Sequence, residues 1–435
     1  MEQVECIVVG GGLAGLSAAY GLASAGVEVM VLERGDYSGA KNVTGGRLYV
    51  KPIRGFYPEL WEGAGADGGP PYERPVAREL VTMMGDGAHT TIEIASDRFT
   101  GDRPQSYTVL RAKLDQWLAE KVTEKGGMVV PNMKVDELLR KDGRIIGIRA
   151  GGDQIGAGVV IVAEGVLRLL SSEAGLAAEP QAKHHALGYK EIIELPAGVI
   201  EDRWHLNPGE GAAQFFMGAC TKGMMGGGFL YTNKESISLG MVVGMEHMRR
   251  RRDGTESWQL LDEFKELPQI KPLVAGGTVA EYSAHAIPEG GISQVPRLAG
   301  DGYLVAGDTA GLSLNALVTV RGMDFAIASG YFAAEAVKKA KAAGDYSAAG
   351  LASYEASLRG SFVLKDLETA RAIPGFMENP RLFTHYPTAV SRLLESIYTI
   401  DERPQAGLFK KAWRGARRDF MNVATIKDAW SMRKI

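Results

Sequence analysis

The first 33 residues set two apolar runs around a stretch of small residues. Residues 4–9, VECIVV, form the first run. Next comes GGGLAGLSAAYGLASAG, closing at Gly26, with small and apolar residues at helical spacing. That pattern predicts a buried helix. Residues 27–32, VEVMVL, form the second run and end at Glu33. Strand, turn, helix and strand within about 30 residues make the βαβ unit of a dinucleotide fold.

The middle of the chain is less regular. Residues 62–74, EGAGADGGPPYER, read as a Gly/Pro loop. Leu114, Trp117, Leu118 and Val122 recur at helical spacing within 111–125, and Gly126-Gly127 ends that helix. MVVP at 128–131 and IIGIRA at 145–150 read as strands, with a KDG turn at 141–143, and VVIVAEG at 159–165 reads as a buried strand. From 184 to 295 short alternating strands dominate, among them YKEIIEL, QFFMGA, GGGFLYT and SISLGMVVGM. The basic run at 249–252 reads as a solvated turn. A buried strand returns at 303–306, 319–341 reads as a long helix, and beyond 345 the chain is helical, broken at Pro374, Pro380, Pro387 and Pro404. The expected division is a dinucleotide-binding domain at 1–183 and 296–345, an inserted antiparallel sheet domain at 184–295, and a helical region at 346–435. The fold class is α/β, α+β overall.

A chain of 435 residues exceeds one simple core, so two or three structural units are expected. A net charge of −3 argues against a nucleic-acid partner. The only cysteines are Cys6 and Cys220, too few for an iron–sulfur cluster, and the seven His show no HExxH spacing. No disulfide framework is implied, and a reducing compartment fits. The N-terminus enters a strand directly, and no run of 18 apolar residues occurs. Neither a signal peptide nor a membrane-spanning helix is expected, and the expected location is cytoplasmic.

Gly10-Gly11-Gly12-Leu13-Ala14-Gly15 is a full GxGxxG between strand and helix. Gly10 permits the turn, Gly12 admits a pyrophosphate, and Gly15 lets helix and sheet approach. The helix start offers N–H groups to phosphate, and Glu33 stands where an acid meets ribose hydroxyls. The motif alone does not separate FAD from NAD. Arg34 follows the acid, and KNVTGGR at 41–47 forms a polar, glycine-rich loop. Arg111 precedes the 111–125 helix, and the late strand runs into Gly307-Asp308. A carboxylate after an apolar run is costly unless something polar meets it. A chain that leaves for a second domain and returns late with this Gly-Asp pair has the pattern of a two-domain flavoprotein.

ERG at 33–35, KNVTGGRLY at 41–49, GGGFLYTNKESISLG at 226–240, EYSAHAIPEGG at 281–291 and GDTAGLSLNALVTVRGMDFAIASG at 307–330 go further. Together they resemble the electron-transfer flavoprotein:quinone oxidoreductase family, and within it the FixC branch. The resemblance implies a Rossmann-like, glutathione-reductase-type fold holding FAD. It places Gly10, Gly12, Leu13, Ala14 and Gly15 at the pyrophosphate, and Glu33 and Arg34 at the adenosine end. Asn42, Val43, Thr44, Gly45 and Gly46 would lie along the cofactor towards the flavin. Arg111 would support the pyrophosphate side and Val135 would offer backbone to adenine. Ala163, Glu164 and Gly165 join the cofactor set, with Glu164 standing where the family usually has Asp. Gly307 and Asp308 would meet the ribityl chain, and Leu314 and Asn315 would present N–H groups near flavin N1 and O2.

The implied activity is FAD-dependent electron transfer from an electron-transfer flavoprotein (alpha and beta subunits) to a quinone. A separate ferredoxin-like iron–sulfur subunit would replace the cysteine cluster of the larger family members, and some such assemblies bifurcate electrons. No general acid or base is nominated. The other readings are an isoprenoid reductase of the geranylgeranyl type, an aromatic hydroxylase, and a non-catalytic flavin-bearing assembly subunit. Met217, Met224 and Met225 suit either a flat apolar ligand such as quinone or core filling. After 404 the chain is basic, with Lys410, Lys411, Arg414, Arg417, Arg418, Lys427, Arg433 and Lys434, while Phe409, Trp413, Ala416 and Phe420 share a helical face. That face fits an anionic membrane surface at the inner side of the cell membrane, a partner subunit, or the core.

Overall fold

A computed structural model describes residues 2–42, 46–63, 65, 67–402 and 404–433. The chain divides into two units. Residues 1–75, 101–185 and 285–370 make the first; residues 76–100, 186–284 and 371–435 make the second.

The first unit is built on an eight-stranded sheet. Strand Glu2–Val9 runs parallel to Asp153–Val162 on one side and to Val29–Leu32 on the other, with Cys6 beside both Val159 and Val29. Tyr303–Val305 pairs with Asp153–Val162, Leu304 beside Ile161. Ile7, Val8, Val31, Val160, Ile161 and Leu304 are fully buried. Burial on both faces explains why these strands read as continuous apolar runs. Val135–Lys141 and Arg144–Ala150 form an antiparallel hairpin. At its turn Asp142 and Gly143 both take positive φ, 51° and 84°.

Helix Leu13–Ser24 is buried from Leu13 through Ala23 and has no polar face. Helix Met323–Ala343 packs on it so closely that a Cβ at Gly330 would overlap the Ala14 carbonyl oxygen. This helix starts at Met323, not at 319 as the pattern suggests, because Val320–Arg321 pairs with Leu314–Asn315 in a small hairpin. Arg321 closes the hairpin onto that helix: its Nε lies 2.7 Å from Asp324 and its Nη1 2.5 Å from Asp366. The strand expected at 159–165 ends at Val162, and residues 163–165 turn away from the sheet.

The second unit carries a seven-stranded sheet, and its extent corrects the sequence-based boundaries. Val76–Met84 joins it, parallel to Gly211–Gly218 and antiparallel to His89–Ala95. Residues 371–435 also group with this unit and form no unit of their own. The edge strand HTTIEIA exposes six of its seven residues, so it lacks the buried face that pattern reading depends on. Tyr189, Leu230, Ile237, Leu239 and Met241 are fully buried in the core. Helix Ser257–Glu266, opened by a Glu256/Gln259 capping box, adds Leu260, Leu261 and Phe264. Phe264 sits over Gly228, where a Cβ would come within 2.5 Å of its ring. Met224 belongs to this core, and Cys220 is buried in it. Arg249 and Arg250 end a short helix rather than forming a turn, and both bind Glu246 at 2.9 Å.

Candidate functional site

The site lies at the carboxyl ends of the parallel strands, where Val9 stands beside Val162 and Val162 beside Val305. Open α/β sheets bind ligands in that crevice. Three turns leave the sheet there, carrying Gly10, Ala163 and Gly307.

The glycine loop is shaped by steric need. Gly10 has φ 107°, and a Cβ there would overlap the Ala163 carbonyl oxygen. At Gly15 a Cβ would overlap the Gly10 carbonyl oxygen. Gly12 differs: the nearest atoms to its missing Cβ are Asn42 Nδ2 and an Arg111 nitrogen, at 3.7 and 3.8 Å. Space therefore opens in front of Gly12, and among the described residues no side chain caps the helix it begins. The first N–H groups of that helix remain available to an anion.

Glu33 is held by the backbone on both oxygens. Gly11 N donates to Oε2 at 2.7 Å and Gly35 N to Oε1 at 2.6 Å. Met133 N donates to Glu33 O at 2.8 Å, bringing the segment before Val135 to the same corner. Val135 is buried at the start of its strand, and Arg34 is exposed.

Arg111 is buried and makes a bidentate pair with Asp115, Nε at 2.8 Å and Nη2 at 2.7 Å. Asn42 Nδ2 donates to the same Asp115 at 2.7 Å. Asp115 was visible only as an acid four residues after Arg111, the spacing of a helical ion pair. Burial works against the Arg111 charge, but Asp115 and then Asp308 outweigh it and raise its pKa. Gly46 opens a strand paired with Ser106–Val109, which leads into Arg111. Val43, Thr44 and Gly45 lie outside the described residues.

Gly165 N donates to Thr309 Oγ1 at 2.8 Å, locking the second turn to the third. Glu164 turns to its own chain, accepting from Leu170 N at 2.9 Å and Ser171 N at 2.7 Å. The longer side chain thus anchors the 164–171 turn. Gly307 N donates to Ser329 Oγ at 3.0 Å.

Asp308 is half-buried, and none of the described residues donates a hydrogen bond to its carboxylate. Burial raises its pKa, opposed by Arg111 and Arg168. Arg168 is buried, and its Nε has no hydrogen-bond partner among the described residues. His285 is held neutral: burial first, then Arg111 and Arg34, lower its pKa to about 4. Arg168 and His285 have no local sequence signature, because distant segments bring them here. Leu314 and Asn315 lie on the small hairpin that follows the third turn.

The arrangement offers an uncapped helix start, two cations, a neutral imidazole and an unbonded acid along one crevice. It suits a long ligand bearing both phosphate and hydroxyl groups. Residues 5–84 match the model for FAD dependent oxidoreductase, and residues 373–435 match that for the ETF-QO/FixC family C-terminal domain. Protein FixC of Escherichia coli K12 is 42% identical over 425 residues, covering 98% of this chain and 97% of that protein.

The chain belongs to the ETF-QO/FixC family.

As a member of it, the chain is an FAD-dependent oxidoreductase. The protein named "Probable electron transfer flavoprotein-quinone oxidoreductase YdiS", from the same strain, is 42% identical over 403 residues, 93% of this chain and 92% of its own. A geranylgeranyl bacteriochlorophyll reductase-like structure from Thermoplasma acidophilum superposes with a TM-score of 0.72. It covers 98% of this chain and 99% of its own at 17% identity, a likeness of fold alone. For an ETF-QO/FixC chain, the unbonded Asp308 and the orphaned Arg168 Nε are what a dinucleotide bearing ribityl hydroxyls would satisfy.

Proposed function

We propose that this chain passes electrons from an electron-transfer flavoprotein to a quinone, with a ferredoxin-like subunit between them, in an assembly able to bifurcate. The observation that carries this reading is 42% identity to a relative named for that reaction, running over 93% of the chain and so through both units. FAD supplies the two-electron chemistry when bound. The residues of the chain bind and orient it. Gly10, Gly12, Leu13, Ala14 and Gly15 receive the pyrophosphate, with Arg111 fixed beside it by Asp115. Glu33, Arg34 and Val135 take the adenosine end. Asn42 and Val43 through Gly46 follow the cofactor towards the ring. Ala163, Glu164 and Gly165 shape the second turn, Gly307 and Asp308 meet the ribityl chain, and Leu314 and Asn315 offer donors to the ring. Donors fixed beside developing negative charge stabilise the reduced state.

The test is turnover. Reduced electron-transfer flavoprotein and a quinone analogue are mixed with the FAD-loaded chain, with and without a ferredoxin-like subunit. Quinone reduction supports the reading. A yellow protein that reduces no quinone sinks it, and rapid reduction by NADPH alone or saturation of prenyl chains selects the alternatives.

The C-terminal helices support peripheral membrane contact. Among the described residues no helix is long and apolar enough to cross a membrane. Helix Leu408–Asp419 leaves Phe409 91% and Trp413 61% exposed, and Val423–Met432 leaves Trp430 65% exposed. Lys410, Lys411, Arg414 and Arg417 lie on the same first helix. Apolar rings flanked by cations match an anionic bilayer surface. Phe409→Glu with Trp413→Glu should change folding stability by less than about 0.5 kcal/mol. The same pair should abolish co-sedimentation with phosphatidylglycerol vesicles. Undiminished co-sedimentation removes this surface.

A further inference from the structure

Glu289 lies in the stretch EYSAHAIPEGG and is not among the residues that hold the cofactor. Its surroundings suggest a role. Glu289 N donates to His184 O at 2.8 Å. Its Oε1 accepts from Asn315 Nδ2 at 3.4 Å. One residue earlier, Pro288 O accepts from Ser313 Oγ at 2.5 Å. Two consecutive residues thus hold the leading arm of the 314–321 hairpin. The Asn315 amide is committed at both ends, because its Oδ1 accepts from Leu317 N at 3.0 Å. Leu317 has φ 69°, in the left-handed region, and that bond holds the turn together with the one from Ala316 N to Thr319 O at 2.9 Å.

Glu289 is half-buried. The ionisable groups on the segments that meet it are His184 and His185 in the preceding turn, His285 four residues before it, Arg321 on the hairpin with its partner Asp324, Arg168, which donates to Gln294 O at 3.3 Å, and Asp308 beyond Arg168. No cation pairs with Glu289 among the described residues. With burial acting on it and only the Asn315 bond opposing, its pKa rises to about 7. A pKa there lets the carboxyl exchange its proton near neutral pH, and either form has an oxygen able to accept from Asn315.

We propose that Glu289 is a proton-linked positioning residue, taking up a proton when negative charge builds beside Asn315 and holding the hairpin through that amide throughout. The proposal rests on the reading that places Asn315 beside the reducible ring of FAD. The balance is simple. Two electrons enter from an external donor, dithionite in the test. One proton moves from solvent to the Glu289 carboxylate, forming an O–H bond and breaking no bond in the protein. Neutralising that carboxylate removes its repulsion of the added charge.

The experiment is spectroelectrochemical titration of the FAD-loaded chain across the pH range around 7, comparing wild type with Glu289→Gln. Glutamine keeps an acceptor for Asn315 and cannot ionise. The wild type should take up as much as about one more proton per electron pair than the variant, so its potential falls more steeply with pH. Superimposable curves overturn the proposal while leaving FAD binding intact. A chain that holds no FAD overturns both the proposal and the reading beneath it. A second measurement needs no variant. The reduced-minus-oxidised infrared difference spectrum of wild type should gain a carboxylic C=O band that shifts with isotope-labelled glutamate. Absence of that band at pH about 8 overturns the proposal even if Glu289→Gln fails to fold.

Discussion

The two sides of the crevice differ in how their polar groups are satisfied. On the side of the glycine loop the chain meets its own constraints, the uncapped start of helix Leu13–Ser24 aside. Gly10 fits against Ala163, both Glu33 oxygens accept backbone N–H groups, and Asp115 binds Arg111 and Asn42 together. Elsewhere in the crevice the groups are left wanting. Among the described residues the Asp308 carboxylate accepts no hydrogen bond and the buried Arg168 Nε has no partner, and His285 is kept neutral beside cations. The contrast separates residues that build the crevice from residues that wait for a ligand. Groups satisfied internally should cost stability when removed. Groups held unsatisfied should cost ligand affinity, because strain at a functional site is offset when the ligand binds.

Gly10→Val should show the largest effect. Its side chain would meet backbone atoms at a positive φ, and neither can move cheaply. A loss on the order of 4 kcal/mol or more is expected, read by urea denaturation. Stability within about 1 kcal/mol of wild type would break the claim that this loop is sterically fixed.

Asp115→Ala comes next. It leaves the Arg111 guanidinium buried without its bidentate partner and frees Asn42. Breaking a buried pair from one side costs roughly 3–5 kcal/mol. Asp115→Asn should recover part of that loss, since the amide oxygen still accepts. A destabilisation no larger than that of an exposed substitution would remove Asp115 from the building side.

Asp308→Ala should behave in the opposite way. The apoprotein should be as stable as wild type or more so, because a poorly satisfied carboxylate is gone. Loss of a hydrogen bond from a charged group costs about 1.5–3 kcal/mol, so FAD affinity should fall roughly 10- to 150-fold. The pH dependence carries a sign. Burial raises the Asp308 pKa, so the folded apoprotein binds more protons than the unfolded chain just above the usual carboxylate range. Apoprotein stability should fall as pH rises through that window, and the variant should lose that slope. Full flavin occupancy in the variant would end the assignment.

The building side was legible in the sequence because its logic is local. Six residues with four glycines, flanked by apolar runs and closed by an acid, state the turn, the helix start and the strand end within one short stretch. Asp308 was legible as an anomaly, a charge after a buried strand. Arg168 and His285 were not legible, since each is an ordinary residue in its own segment. They matter only because distant parts of the chain bring them near Arg111 and Asp308. The strands at 76–95 escaped for another reason: their outer member, His89–Ala95, is mostly exposed and carries no buried face. Glu164 shows a third limit. A Glu where the family has Asp left its role open, and only the two N–H groups of the following turn explain the extra methylene.

His285→Gln tests the waiting side most gently. The imidazole pKa falls from about 6.5 in the unfolded chain to about 4, through burial first and then Arg111 and Arg34. Between those values the unfolded chain binds more protons than the folded one. Stability from this group is therefore full above about pH 6.5 and is lost as pH falls towards 4. Glutamine does not titrate, so the variant should show a shallower loss of stability on acidification and little change at pH about 8. The expected difference is below about 1 kcal/mol, because His285 is only partly buried and solvent screens part of the shift. An identical acid limb in both proteins would mean that neither burial nor the two guanidinium groups depress the His285 pKa. His285 would then leave the set of groups that await the cofactor.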